Sequence, residues 1–476
     1  MTKTSADPRS EPLSGEDLGF WWGDQPHQRT AMAMLLLLDR RPSSGRLREA
    51  AAHAVRAVPR LRQRVVDLPL DVARPRWEDD PTFDLDYHVR RYALSHEDGS
   101  PQHADLKDLF RTIGPIYERP FDRTRPLWEL IELDGPGEGA AVFFRLHHCV
   151  ADGVGGNAIL AALTEASEDD GRPTPIRPVP GPWHEPGLLQ QLGNGVAYRV
   201  QEELQRAGSL ARAGWTALTR PSSWSTAAGV ARGLVSQLSD GADSPLEEFG
   251  RSRHLTGFDL PFEPLRAAKN ALGGQMIDVM LTAASEAMTT WHTEHGHEAS
   301  DVMTLVPINL RPRAEQGQTA STGNRATGVM VPLPLEPTEL AARFREVHAR
   351  MAQRKANPAL EYLPSFAEAV PLVPRRLFRF LSYLGSQSVQ LIVTNVPGIM
   401  MPRYVAGARI TAGYPFAPLA PRCPVSIALY GYDDRLWVGI DADGTAMPDL
   451  EAFAGMLRAS FENVIALAGR RAAAGG

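Results

Sequence analysis

The chain has little lysine, almost no cysteine, and no hydrophobic run long enough to cross a bilayer. Four of its 50 basic residues are lysine (Lys3, Lys107, Lys269 and Lys355) and the rest are arginine. Basic residues are outnumbered by 56 acidic ones, giving a net charge of -6. That balance argues against nucleic acid as the main partner. Two cysteines, Cys149 and Cys423, are too few for a disulfide framework or a cysteine-rich zinc site. The longest apolar run, Met32 to Leu38, is strand-sized, where a membrane span needs about 20 residues. The opening MTKTSADPRS lacks the charged and apolar regions of a secretory signal, so a cytoplasmic location is expected.

What is present is a soluble balance, 43% hydrophobic and 22% charged over 476 residues. At about 100–200 residues per domain, that length predicts two or three domains. Ala31–Leu38 suits a buried strand and Leu47–Val58 has helical spacing. Arg56, Arg60, Arg62 and Arg64 follow closely, as a solvated helix face and its exit or as an anion contact. Pro126–Leu133 alternates like a strand, and Ala140–Leu146 reads as its return after a Gly-rich turn, so the two form a hairpin. A helix is expected at Asn157–Ala166.

A Pro-rich stretch, Gly171–Pro186, marks a linker. Leu188–Ser239 has helical texture, either as connecting helices or as an amphipathic surface touching membrane or lipid. Further helices are expected at Pro264–Leu272 and Asp278–His292, with strands near Val302–Ile308, Gly328–Leu335, Gln390–Asn395, Val425–Tyr430 and Leu436–Ile440. This mixture predicts an α/β fold. The domains are expected at 1–182, 183–244 (a helical linker) and 245–476.

The hairpin delivers the chain into His147-His148-Cys149-Val150-Ala151-Asp152-Gly153, at a strand-to-loop-to-helix junction. Three readings are open. Metal binding is disfavoured because adjacent strand residues point to opposite faces. A buried histidine could instead be tied to a local carboxylate. General-base catalysis would need one imidazole facing a pocket with its tautomer held by its surroundings.

HHCVADG resembles the HHxxxDG signature of the bacterial wax ester synthase/diacylglycerol acyltransferase family, within the chloramphenicol acetyltransferase-like group. Flanking segments resemble the family in order. They are Pro12-Leu13-Ser14 with Asp17 and Phe20, Arg125-Pro126-Leu127-Trp128-Glu129, and Asn309-Leu310-Arg311-Pro312-Arg313. Gly323-Asn324-Arg325, Pro332-Leu333-Pro334, Thr394-Asn395-Val396-Pro397-Gly398 and Pro448-Asp449 follow. The resemblance implies two acyltransferase-like domains, mixed sheets flanked by helices, with an active-site tunnel between them. It implies acyl transfer from acyl-coenzyme A to a hydroxylated acceptor such as a long-chain alcohol or diacylglycerol, with no cofactor, no metal and no acyl-enzyme. His148 would be the general base and His147 an orienting or packing neighbour. Asp152 would be structural, paired with Arg311, and Gly153 would allow a sharp turn. Asn395 would hold an inter-domain crossover, and Trp128 would pack in the core or line a channel. Ile277 stands where the family carries asparagine, followed by Asp278 as a helix cap. If that helix start faces the tunnel, weak activity on ordinary wax-ester substrates is expected. The alternatives are a specialised acyltransferase acting on a secondary metabolite, an acyl carrier protein as donor, and a non-catalytic lipid-binding homologue. Peripheral contact with membrane or lipid bodies is a further expectation.

Overall fold

The computed structural model describes residues 10–93 (apart from 27 and 44), 105–168, 187, 189–200, 203, 249–297, 301–309, 326–357 and 370–475. In chain order its strands are β1 (Glu11–Pro12), β2 (Ala31–Leu38), β3 (Gln63–Val66), β4 (Arg76–Asp79), β5 (Val89–Tyr92), β6 (Trp128–Asp134), β7 (Ala140–His147) and β8 (Arg253–Pro261). They continue as β9 (Asp301–Asn309), β10 (Ala326–Pro334), β11 (Leu391–Ile399), β12 (Tyr404–Val405), β13 (Ala408–Phe416), β14 (Val425–Tyr432) and β15 (Arg435–Asp443). Two six-stranded sheets result, ordered β12-β13-β2-β7-β6-β5 and β10-β9-β11-β14-β15-β8, with a small sheet β1-β4-β3 beside the first. The fold is therefore α/β with mixed sheets flanked by helices.

The apolar run AMAMLLLL forms β2, flanked by strands on both sides in the first sheet. It pairs antiparallel with β7, placing Ala31 opposite His147, and with β13, placing Leu38 opposite Ile410. No residue of β2 is exposed on either face, so no polar alternation is needed. The hairpin expected at 126–146 is β6 and β7, with Trp128 opposite Leu146 and Glu129 opposite Arg145. Arg145 is fully buried, and its guanidinium donates to Glu129 Oε2 (2.8 Å) and to the Arg119 carbonyl (2.6 Å).

Helices Arg46–Ala57 and Leu106–Glu118 contribute to the first core; Phe262–Leu272, Met276–Glu294 and Leu450–Gly475 contribute to the second. The expected linker, residues 183–244, lies outside the described residues except at 187, 189–200 and 203; residues 189–200 are helical. The basic segment makes intramolecular contacts, with Arg60 buried and Arg62 exposed. The Arg60 guanidinium lies 4.4 Å from the Trp77 ring centre and 3.3 Å from Glu11, while Arg62 sits 3.3 Å from Asp79.

β12 and β13 lie far along the chain yet complete the first sheet, and β13 packs against β14 and β15 of the second. At the crossing, a Cβ on Gly439 would come within 1.7 Å of the Pro415 carbonyl oxygen. Only glycine lets the two backbones approach this closely.

Candidate active site

A cavity of about 270 Å³ opens between the two sheets. Its wall is mostly apolar, with Met32, Met34 and Phe144 from the first sheet and Leu305, Ile392 and Val396 from the second. His148, Asp152, Asn157 and Thr394 are the polar or ionisable side chains among the described lining residues. An apolar cleft carrying a few polar groups is the usual form of a small-molecule site.

β7 ends at His147, and the chain turns through His148 into the helix Gly153–Leu163, closed by a Val150 N–H to His147 carbonyl bond of 2.9 Å. The two histidines diverge. His148 is half-buried and faces the cavity, and its backbone N–H donates to the Thr30 carbonyl at 2.8 Å. Its imidazole stacks on Phe20, with centroids 4.0 Å apart and an interplanar angle of 15°. Phe20 belongs to the helix Gly15–Gly23, whose start is capped by Ser14 accepting the Asp17 N–H.

His147 is buried behind the turn. The Cys149 N–H donates to its Nδ1 at 3.1 Å, which leaves the proton on Nε2. Nε2 lies 2.9 Å from Thr30 Oγ1 and 3.7 Å from Asp24 Oδ2. Burial pushes the His147 pKa below its ordinary value, against the pull of Asp24. Burial would raise Asp24, but the neighbouring His147 and the Arg123 guanidinium outweigh it and hold the carboxyl at about 2. The histidine is thus a neutral brace for the turn. Thr30 touches both histidines, through its carbonyl to one and its hydroxyl to the other; sequence reading missed it. Its one signal was its place directly before β2.

Asp152 is buried at the N-cap of Gly153–Leu163, with Oδ1 accepting the Gly155 N–H at 2.8 Å. Arg311, its expected partner, lies outside the described residues. Gly153 departs from expectation: it is absent from the glycines with positive φ, so the turn does not need glycine's conformational freedom. A Cβ there would meet Val396 Cγ2 at 3.4 Å, an ordinary contact. Cys149 is fully buried, and desolvation pushes its thiol well above the ordinary range.

The remaining expected residues lie outside the cavity wall. Trp128 is buried in the first core, its Nε1 donating to the Leu61 carbonyl at 2.6 Å and its ring stacked on His88 at 4.6 Å. Ile277 is partly buried against the second core. Asp278 is not the cap itself. Gln275 holds that place, and Asp278 is its capping-box partner, accepting the Gln275 N–H at 2.7 Å and contacting His348 Nδ1 at 2.8 Å. Asn395 is exposed on β11, while Thr394 and Val396 on either side face the cavity. The contact spanning the domains beside it is made by Asn157, whose Nδ2 donates to the Pro397 carbonyl. Among the described residues no group of three or more histidines, cysteines or carboxylates is placed to hold a metal. No described helix is long and apolar enough to cross a membrane.

Residues 13–280 match the wax ester synthase/diacylglycerol acyltransferase catalytic domain, and residues 322–464 match the C-terminal domain of the same family. A Mycobacterium tuberculosis protein (strain H37Rv) provisionally named a diacylglycerol O-acyltransferase is 32% identical, over 98% of this chain and 95% of its own. Another from the same strain, likewise provisionally named, is 27% identical over 95% of each chain. The wax ester synthase/diacylglycerol acyltransferase of Marinobacter aquaeolei VT8 shares the fold, with a TM-score of 0.63 at 18% identity over 96% of this chain and 100% of that one. The first condensation domain of the CDA synthetase shares it at 0.57 and 18% identity, over 97% of each. The chain is an acyltransferase and belongs to the wax ester synthase/diacylglycerol acyltransferase family.

Proposed function

We propose that the protein transfers an acyl group from acyl-coenzyme A to the hydroxyl of a lipid acceptor, a long-chain alcohol or a diacylglycerol, with His148 as general base. One observation carries this reading: a single half-buried imidazole, held by a backbone bond and a stacked ring, faces a mostly apolar cavity between two domains. The imidazole takes the proton of the acceptor hydroxyl as the oxygen attacks the thioester carbonyl. A tetrahedral oxyanion forms; its C–S bond then breaks, the ester is released, and the departing thiolate takes the proton from the imidazolium. Protons balance and no cofactor is required. A buried, protonated Cys149 is a poor nucleophile, which supports direct transfer over an acyl-enzyme.

The cavity walls suit an aliphatic chain, because burying each CH₂ stabilises binding by about 0.8 kcal/mol. Asp152 serves the architecture, capping the helix that carries Asn157, and Arg311 is the proposed partner for its charge. An acyl carrier protein would present the same thioester through the same phosphopantetheine arm and is the alternative donor.

The test is thiol release from acyl-coenzyme A with and without acceptor, together with mass detection of the ester. The proposal expects acceptor-dependent release that His148→Ala lowers about 10²–10⁴-fold, the usual worth of a general base, at unchanged melting temperature. Near-normal turnover in that variant removes His148 as the base. Ligand binding without thiol release would mark a lipid-binding homologue instead.

A further inference from the structure

Helix Arg375–Ser386 (RRLFRFLSYLGS) has no buried residue and no acidic one. Its inner face holds it to the body of the protein. The Phe378 ring lies 5.6 Å from that of Trp22, Arg379 Nε donates to the Trp22 carbonyl at 3.0 Å, and Arg375 sits 3.6 Å from Asp71. The outer face carries Leu377, Phe380, Leu381, Tyr383 and Leu384, each between 40% and 58% exposed. Spacing of three and four residues puts these side chains on one stripe. An exposed apolar group of this size marks an interaction surface.

Two hollows flank the stripe. One, of about 420 Å³, is lined by Arg74, Arg199, Arg375 and Arg376, against one carboxylate, Asp71. The other, of about 560 Å³, is lined by Arg251, Arg253, Arg379 and Arg422, against Asp443. Crowding is felt within the helix: burial, then the charges of Arg375 and Arg123, lower the Arg379 pKa. An apolar ridge between two arginine-lined hollows is complementary to a bilayer surface that offers acyl chains beneath anionic headgroups. A second copy of the chain fits less well, since pairing the stripe with itself brings arginine-rich flanks together.

We propose that helix Arg375–Ser386 is an interfacial helix that seats the protein on an anionic lipid surface. Its placement gives the contact a purpose. The helix packs on Gly15–Gly23, whose Phe20 stacks on His148, so the catalytic histidine sits one helix away from the lipid. That purpose rests on the proposed lipid acceptor, but the docking itself does not, because vesicle binding is read without turnover.

Co-sedimentation of the full chain with vesicles of phosphatidylcholine and phosphatidylglycerol in equal parts, and of phosphatidylcholine alone, tests it. Wild-type protein should bind the anionic vesicles more tightly, with affinity falling as salt rises. Replacing Phe380 and Leu384 together by glutamine, which keeps helix propensity, should weaken binding at least about tenfold. Arg376→Glu should weaken it at least about fivefold on anionic vesicles and little on neutral ones. Turnover of a short-chain acyl-coenzyme A with a water-soluble alcohol should stay unchanged in each, which also reports folding. Wild-type protein that ignores anionic vesicles, or variants that bind as wild type does, would overturn the proposal. So would a double variant that changes only from dimer to monomer, since the stripe would then be a contact between copies.

Discussion

His148 lies flat against Phe20, their ring centres 4.0 Å apart, and that contact, together with the backbone bond to Thr30, sets where the imidazole points. An aromatic stack is worth about 0.5–1.5 kcal/mol beyond burial. Phe20→Leu keeps the apolar bulk and removes the flat partner. Turnover should fall about tenfold with little change in KM for the acyl donor, measured by initial rates on protein whose melting temperature is near wild type. A variant with full turnover would show that the imidazole is held by the backbone alone.

His147 should behave differently from His148. As a neutral brace it fills a buried site and joins Thr30, Cys149 and Asp24. His147→Ala should lower the melting temperature and cost about 2–5 kcal/mol in denaturant unfolding, through a cavity and the loss of the hydrogen bonds to Thr30 and Cys149. Its turnover loss should be smaller than that of His148→Ala. Thr30→Val, which removes the hydroxyl and keeps the carbonyl, should show the same pattern in weaker form. Equal kinetic losses at both histidines, without destabilisation, would make His147 a direct participant.

Asp441 on β15 is buried, and neither carboxylate oxygen has a hydrogen-bond partner among the described residues. Desolvation raises its pKa from 3.8 to about 7, against the pull of Arg253. The folded protein therefore holds this proton more tightly than the unfolded chain. Stability is lost as pH rises from about 4 to about 7. Asp441→Asn keeps the shape and removes the titration. It should raise the melting temperature at pH 8, with the gain shrinking steadily as pH falls and gone near pH 4. A gain independent of pH would mean that Asp441 does not titrate in that range.

Gly439→Ala tests the strand crossing. A Cβ within 1.7 Å of the Pro415 oxygen must push β13 away from β15, and backbone atoms cannot yield cheaply. The variant should unfold at much lower temperature or fail to accumulate as folded protein, with loss well beyond the usual 0.5–3 kcal/mol of a point substitution. Gly455→Ala, where nothing lies within 4 Å of the added carbon, is the control and should melt at or above the wild-type temperature.

Where neighbours in sequence are also neighbours in space, the residues alone were enough. The hairpin β6–β7 follows from alternating apolar positions around a glycine turn. The order of short motifs identified the family and with it the expectation for His148, while the divergence of adjacent strand residues argued against both histidines holding one metal. At Gly153 residue type suggests a conformational need, but the backbone there is not in the left-handed region, which composition and motif do not tell. Trp128 could not be assigned between core and channel until the Leu61 carbonyl and His88 were seen around it.

Tertiary structure alone decided the rest, through contacts that local pattern does not encode. β13 pairs with β2 more than 350 residues away in the chain, placing Ile410 against Leu38, and no period in either segment names its partner. Phe20 comes to the His147–His148 turn from another helix and Thr30 from just before β2, so these contacts exist only once the first sheet has closed. The stripe on Arg375–Ser386 reads in sequence as an ordinary amphipathic helix, half of which a core would cover. Its apolar side is exposed because the opposite side, through Phe378 and Arg379, is the one that packs on Trp22. Periodicity states that a helix has two faces; only packing settles which of them meets protein.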